Sequence, residues 1–106
     1  MQEYETEAKI FKALNEPIRL QILKMLSCKE MCACKILESL SISQSTLSHH
    51  MKVLIECELV IPRKEATWTH YSIDKNTVIA LTNFINKLTT NSEDCICYSS
   101  DKVCKK

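Results

Sequence analysis

There is no glycine anywhere in these 106 residues. That excludes the glycine-rich cradles that let a backbone wrap a phosphate, and with them the common nucleotide-binding loops. Also absent is any apolar run near the ~18 residues that a membrane-spanning helix needs. Charge of one sign is missing too: 14 basic and 13 acidic residues leave a net charge of +1, so composition carries no footprint of nucleic acid. The opening Met1-Gln2-Glu3-Tyr4-Glu5 is acidic, with no basic stretch leading into an apolar one. It does not read as an export signal, and a cytoplasmic location is expected. No paired carboxylates and no nucleophile–base–orienter set can be assembled, so an enzyme is not expected.

What the chain does have is cysteine, seven of them. An odd number without an export signal argues against a disulfide framework, because the cytosol keeps thiols reduced. Metal ligation, redox chemistry and simple burial remain. The cysteines cluster at Cys32 and Cys34, with Cys28 four residues earlier, and again at Cys95, Cys97 and Cys104; Cys57 stands apart.

Apolar spacing organises the rest. Tyr4, Ala8, Ile10, Phe11 and Leu14 predict a first helix over 4–14. Asn15-Glu16-Pro17 breaks it and starts a second, Pro17 sitting in the first turn where its missing N–H costs nothing. Ile18, Ile22, Leu23 and Leu26 form the inward face of that second helix. A short third helix is expected from about Cys34 to Leu40, then a Ser41-Ile42-Ser43 turn, then a fourth helix from about Gln44 to Cys57 with Leu47, Met51, Leu54 and Ile55 inward. The period then changes. Leu59-Val60-Ile61 and Trp68 to Ile73 read as two strands flanking the polar stretch 63–67, a hairpin. A last helix over 75–89 carries Val78, Leu81, Phe84, Ile85 and Leu88 on one face, with no partner left inside so small a domain. A domain of this size is marginal alone, so a homodimer through the first and last helices is expected. Residues 1–92 form the expected domain, and 93–106 a flexible cysteine-bearing tail.

Helix, turn, helix, hairpin is the order of a winged helix-turn-helix, mainly α with a β-hairpin wing. The second helix of such a motif lies in the major groove of double-stranded DNA. Its first residues here are Ser43, Gln44, Ser45, Thr46, Ser48 and His49, polar and hydroxyl-rich, with one amide able to pair bidentately with adenine. Lys52, Arg63 and Lys64 are candidates for phosphates.

Phe11 through Ile73 resembles the ArsR/SmtB family of metal-responsive bacterial repressors. Three stretches carry the likeness: Phe-Lys-Ala-Leu-Asn-Glu-Pro-Ile-Arg-Leu-Gln-Ile-Leu (11–23), Ser-Gln-Ser-Thr-Leu-Ser-His-His-Met-Lys-Val-Leu (43–54) and Arg-Lys-Glu-Ala-Thr-Trp-Thr-His-Tyr-Ser-Ile (63–73). The resemblance implies a homodimer that blocks transcription at an operator and leaves when an ion binds. Glu30-Met31-Cys32-Ala33-Cys34 is similar to the Glu-Leu-Cys-Val-Cys segment of the arsenic-responsive branch, which implies trivalent arsenic or antimony as inducer. Soft thiolates suit such ions, with cadmium, lead or bismuth as further candidates. The zinc-sensing branch uses His, Asp and Glu on the last helix, and residues 75–92 contain none.

Two departures and one point of geometry matter. Where the family commonly has glycine at the start and tip of the wing, this chain has Glu58 and Ala66, so those turns use other geometry or carry strain. Where the resemblance would place a third cysteine, it has Leu37. The third ligand must then come from Cys28 or from Cys95, Cys97 or Cys104 in the tail. Finally, residues two apart on a regular helix diverge by about 200°. With Cys32 and Cys34 at the start of the third helix, sharing an ion therefore requires its first turn to fray or open. The alternative reading of the same pair is a thiol redox switch gating DNA binding.

Overall fold

The computed structural model describes residues 4–91. The expected tail and its Cys95, Cys97 and Cys104 lie outside the described residues. Within them the order is α1 (Glu5–Leu14), α2 (Pro17–Leu26), β1 (Met31–Cys32), α3 (Ala33–Leu40), α4 (Gln44–Glu56), β2 (Val60–Glu65), β3 (Trp68–Ile73) and α5 (Lys75–Thr89). No helix among these residues is long and apolar enough to cross a membrane.

Local chemistry explains the helix boundaries. The Glu16 carboxylate accepts the Ile18 N–H at 3.1 Å and Pro17 opens α2. Ser43 caps α4 by accepting the Thr46 N–H at 3.1 Å, and Asp74 caps α5 through the Asn76 N–H, also at 3.1 Å. Each side chain satisfies a backbone donor that the helix itself leaves without a partner.

The core is built from one face of each central element. Ile22 and Leu26 of α2, Ile36 of α3, Leu47, Met51 and Leu54 of α4, and Leu59 and Val60 at the entry to β2 are all buried together with Ile10. Ile36 and Leu54 are fully buried, so α3 and α4 share one packed interior, and neither can shift without the other repacking. The apolar residues of α1 divide between two sides. Ile10 and Ala13 are buried, whereas Tyr4 and Phe11 face outward and meet Phe84 of α5 at ring-centroid distances of 5.9 and 6.4 Å. No residue of α5 is buried; Leu81 packs against the core, and Ile79, Ile85 and Leu88 stay exposed.

The sheet has three strands, not two. Its order is β1-β3-β2, all antiparallel, with Met31 opposite Tyr71 and Cys32 opposite His70. A two-residue strand has no periodicity to announce it; it exists only because β3 offers an edge. The hairpin is also longer than expected. Pairing continues through Arg63–His70, Lys64–Thr69 and Glu65–Trp68, so the turn is Ala66-Thr67 alone.

The turns without glycine do adopt left-handed backbone. Ser41, Glu58 and Ala66 have φ of 54°, 65° and 58°. At the end of α4 the Glu58 N–H donates to the Ile55 carbonyl at 2.9 Å and the Leu59 N–H to the Leu54 carbonyl at 3.0 Å. This is a Schellman cap with glutamate in the position glycine usually takes.

Candidate nucleic-acid interface and thiol site

Helix α4 presents two faces. Leu47, His50, Met51 and Leu54 are buried, while Ser43, Gln44, Ser45, Thr46, Ser48, His49 and Lys52 are all exposed. The residues expected at base edges thus share one solvent-facing surface at the start of the helix. Ser43 has a structural task as well, as the cap of α4 and through its hydroxyl contact with Thr46 at 2.8 Å. Lys64 is exposed on β2.

Adjacent His49 and His50 part company. His50 is 7% exposed, and its Nδ1 accepts the Arg19 Nε–H at 3.1 Å, while Arg19 Nη1 donates to the Ala13 carbonyl at 3.1 Å. One guanidinium therefore pins α4 to the α1–α2 corner. Burial, and then the Arg19 charge, lower the pKa of His50, so it is the neutral imidazole, with its proton on Nε2, that serves as acceptor. Sequence spacing gave no sign of this contact, because 31 residues separate the partners.

At the other end of the motif, Cys32 is not a helical residue. It closes β1 in extended backbone and caps α3, its Sγ accepting the Cys34 N–H at 3.3 Å. The two Sγ atoms lie 2.6 Å apart. This corrects the expectation that the first turn must open before the pair can share an ion: Cys32 lies outside the helix, so the 200° divergence of helical residues two apart does not govern it. The Cys34 side chain, helped by the backbone N–H groups of Cys34 and Lys35, lowers the pKa of Cys32; Cys32 in turn raises that of Cys34. Of the two thiols, Cys32 therefore gives up its proton more readily than Cys34.

Cys28 is exposed and borders the same cavity of about 520 Å³ as Cys32, together with Met25, Met31 and His70. Leu37 packs against the core. Cys57 ends α4 half-buried, and burial raises its pKa. Among the described residues no three His, Cys, Asp or Glu side chains converge on one point as an ion site.

Arg63 is held by acids. Its Nε and Nη2 donate to the two carboxylate oxygens of Glu30 at 2.9 and 2.7 Å, and Nη1 lies 3.2 Å from Glu65 Oε1. His70 Nε2 approaches the same Glu65 oxygen at 3.4 Å. The hydrogen bonds from Arg63 lower the pKa of the Glu30 carboxyl. Glu30, Glu65 and His70 were not among the expected site residues; only the fold brings them together.

Comparison with known proteins follows the same lines. Residues 16–61 match the model of the bacterial regulatory proteins of the arsR family. The arsenical resistance operon repressor of Staphylococcus aureus is 39% identical over 94 residues, covering 89% of this chain and 90% of its own length. Among solved structures, HlyU from Vibrio cholerae superposes with a TM-score of 0.68 at 32% identity, covering 84% of this chain and 98% of that one. An ArsR-like regulator from Rhodococcus sp. RHA1 reaches a TM-score of 0.74 at 22% identity over 83% of both chains, a likeness of fold.

Proposed function

This chain belongs to the ArsR family of bacterial regulators, DNA-binding transcriptional repressors and not enzymes, and from that premise we propose that a thiophilic ion bound at Cys32 and Cys34 releases it from its operator. The observation that carries the reading is that the Cys32 and Cys34 sulfurs meet at the start of α3, the helix that leads into α4. Trivalent arsenic or antimony is the best match for such donors. Both favour thiolate sulfur, and Cys32 is the thiol whose pKa is lowered. The named function of the Staphylococcus aureus relative supports the same choice.

Cys28 is the favoured third ligand, because it borders the cavity that Cys32 also lines; the tail cysteines Cys95, Cys97 and Cys104 are the alternative source. The route to DNA runs through residues already described. The Cys32 sulfur caps α3, and a sulfur committed elsewhere offers less to the Cys34 N–H, loosening the start of that helix. Ile36 then carries the displacement into the interior shared with Leu47 and Leu54 of α4. Ser43, Gln44, Ser45, Thr46, Ser48 and His49 would meet base edges, with Lys52 and Lys64 on phosphates. The exposed apolar side chains of α1 and α5 support assembly as a homodimer.

The test is operator release, followed by fluorescence anisotropy under reductant. Cys32→Ser and Cys34→Ser should bind operator within about twofold of wild type but fail to release it on adding arsenite. Normal release from the double variant would move the sensor away from this pair. A second reading, oxidation of the same pair, is favoured by the unequal proton affinities of the two thiols. Peroxide in metal-free buffer would then release the operator where arsenite does not.

A further inference from the structure

Across the three-stranded sheet one row runs Cys32, His70, Arg63: the register sets Cys32 opposite His70, and His70 opposite Arg63. Directly opposed residues of a sheet project from the same face. The sensing thiol and the wing guanidinium therefore stand on one face with a single imidazole between them. Glu30, two residues before Cys32, closes the row from outside by engaging Arg63 with both carboxylate oxygens. Glu65 takes the remaining Arg63 nitrogen and also faces His70.

Three of the five Arg63 N–H donors thus meet carboxylates, one positive charge against two negative ones, in a side chain that stays half-exposed. A phosphate approaching its two remaining N–H groups meets a net negative charge around them, which weakens the attraction. Its neighbour Lys64 is exposed and forms no ion pair among the described residues.

We propose that Glu30 and Arg63 form a clasp tying the wing to the thiol-bearing segment, and that Arg63 acts through it as a positioning residue rather than as a phosphate contact. Exposed ion pairs between long side chains usually contribute little. This one has the fork-to-fork geometry that fixes both partners, and the β1–β3 ladder brings them within reach. Because Glu30 and Cys32 share one short segment, displacement of Cys32 moves Glu30, and β2 follows through Arg63. The wing then shifts with the recognition helix, and both DNA-contacting elements answer to one thiol site. The transmission half of this proposal rests on Cys32 and Cys34 being the sensor; the statement about Arg63 and phosphate does not.

Two measurements on the full chain test it. The first is the salt dependence of operator binding, where each phosphate contact contributes about 0.9 to the slope of log K against log salt. Lys64→Gln should flatten the slope by about 0.9 per protomer, and Arg63→Gln should leave it unchanged. A loss of about 0.9 in Arg63→Gln makes Arg63 a phosphate contact and overturns the clasp. The second is the loss of operator affinity caused by arsenite, with arsenite binding followed separately by the ultraviolet absorbance of sulfur–arsenic bonds. Glu30→Gln should bind arsenite as wild type does while its affinity loss shrinks about tenfold, and the charge reversal Glu30→Arg/Arg63→Glu should recover the wild-type response. An undiminished response in Glu30→Gln overturns transmission through the clasp. If arsenite fails to release wild type, the sensor reading falls and takes the transmission half with it, while the salt slopes still decide the role of Arg63.

Discussion

Glu58→Gly should make this protein more stable, although glycine ordinarily weakens a chain. Glu58 sits at φ 65°, in the left-handed region that a Cβ disfavours by roughly 1–2 kcal/mol. Part of that gain is offset, since glycine frees the unfolded chain by about 0.5–1 kcal/mol. Substitutions between glycine and other residues at positive φ nonetheless favour glycine by about 1 kcal/mol. Both cap hydrogen bonds, to Ile55 and Leu54, are made by backbone groups and survive the change. A second contribution has a different origin: glutamate stands at the negative end of the α4 dipole, beside Glu56 and Asp74 on one cavity wall. Removing that charge adds a few tenths of a kcal/mol. Glu58→Gln isolates this part, because it discharges the side chain and keeps the Cβ. For a domain of this size 1 kcal/mol corresponds to about 4–8 °C in Tm. Urea and thermal unfolding followed by circular dichroism, at one fixed protein concentration, should rank Glu58→Gly above Glu58→Gln above wild type. If Glu58→Gly is no more stable than Glu58→Gln, the left-handed turn stores no strain and the argument from φ is wrong.

Other substitutions probe the reading helix and its supports. Ser43→Ala removes the α4 cap and should cost about 1 kcal/mol, measured by urea midpoint, together with weaker operator binding; unchanged stability would show that Ser43 caps nothing. His50 supplies the pH dependence. Its pKa is lowered in the folded state, so the unfolded chain takes up a proton near pH ~6.5 that the folded state refuses. Stability should be full above that value and fall as pH drops toward the folded pKa. His50→Gln, whose side-chain oxygen can still accept from Arg19, should flatten this decline between about pH 7.5 and 5.5, and equal declines in both proteins would clear His50 of the effect. Ile36→Val should cost about 1 kcal/mol, because the site is fully buried. Ile85→Glu, on the exposed face of α5, should shift sedimentation toward the monomer, and an unchanged mass would place the dimer contact elsewhere.

Some of this molecule was legible without coordinates because its signals are local. Pro17 after Asn15-Glu16, the polar run from Ser43 to His49, and the 3.6-residue spacing of Leu47, Met51 and Leu54 each act through neighbours within a turn or two. The helices accordingly stand within a residue or two of where spacing puts them. The family likeness of the helix that carries that polar run belongs to the same class. Even the strain at Glu58 and Ala66 was visible as glycine missing from turns that want it, although spacing alone could not say whether those turns would change shape or bear the cost.

What the sequence left undecided depends on residues far apart in the chain. Strand β1 has no signature of its own and forms because β3 presents a free edge. That pairing holds Cys32 in extended backbone, which turns two cysteines expected to diverge into neighbours. It also sets Glu30 beside Arg63 across 33 residues. The same holds for Arg19 on His50, and for Phe11 of α1 against Phe84 of α5. The sequence by itself determined which segments are helices and which of them carries an exposed polar run, since propensity, capping and periodicity are short-range. Only the tertiary structure decided which side chains share a site, because contacts between distant segments are settled when the core packs and the sheet edge closes.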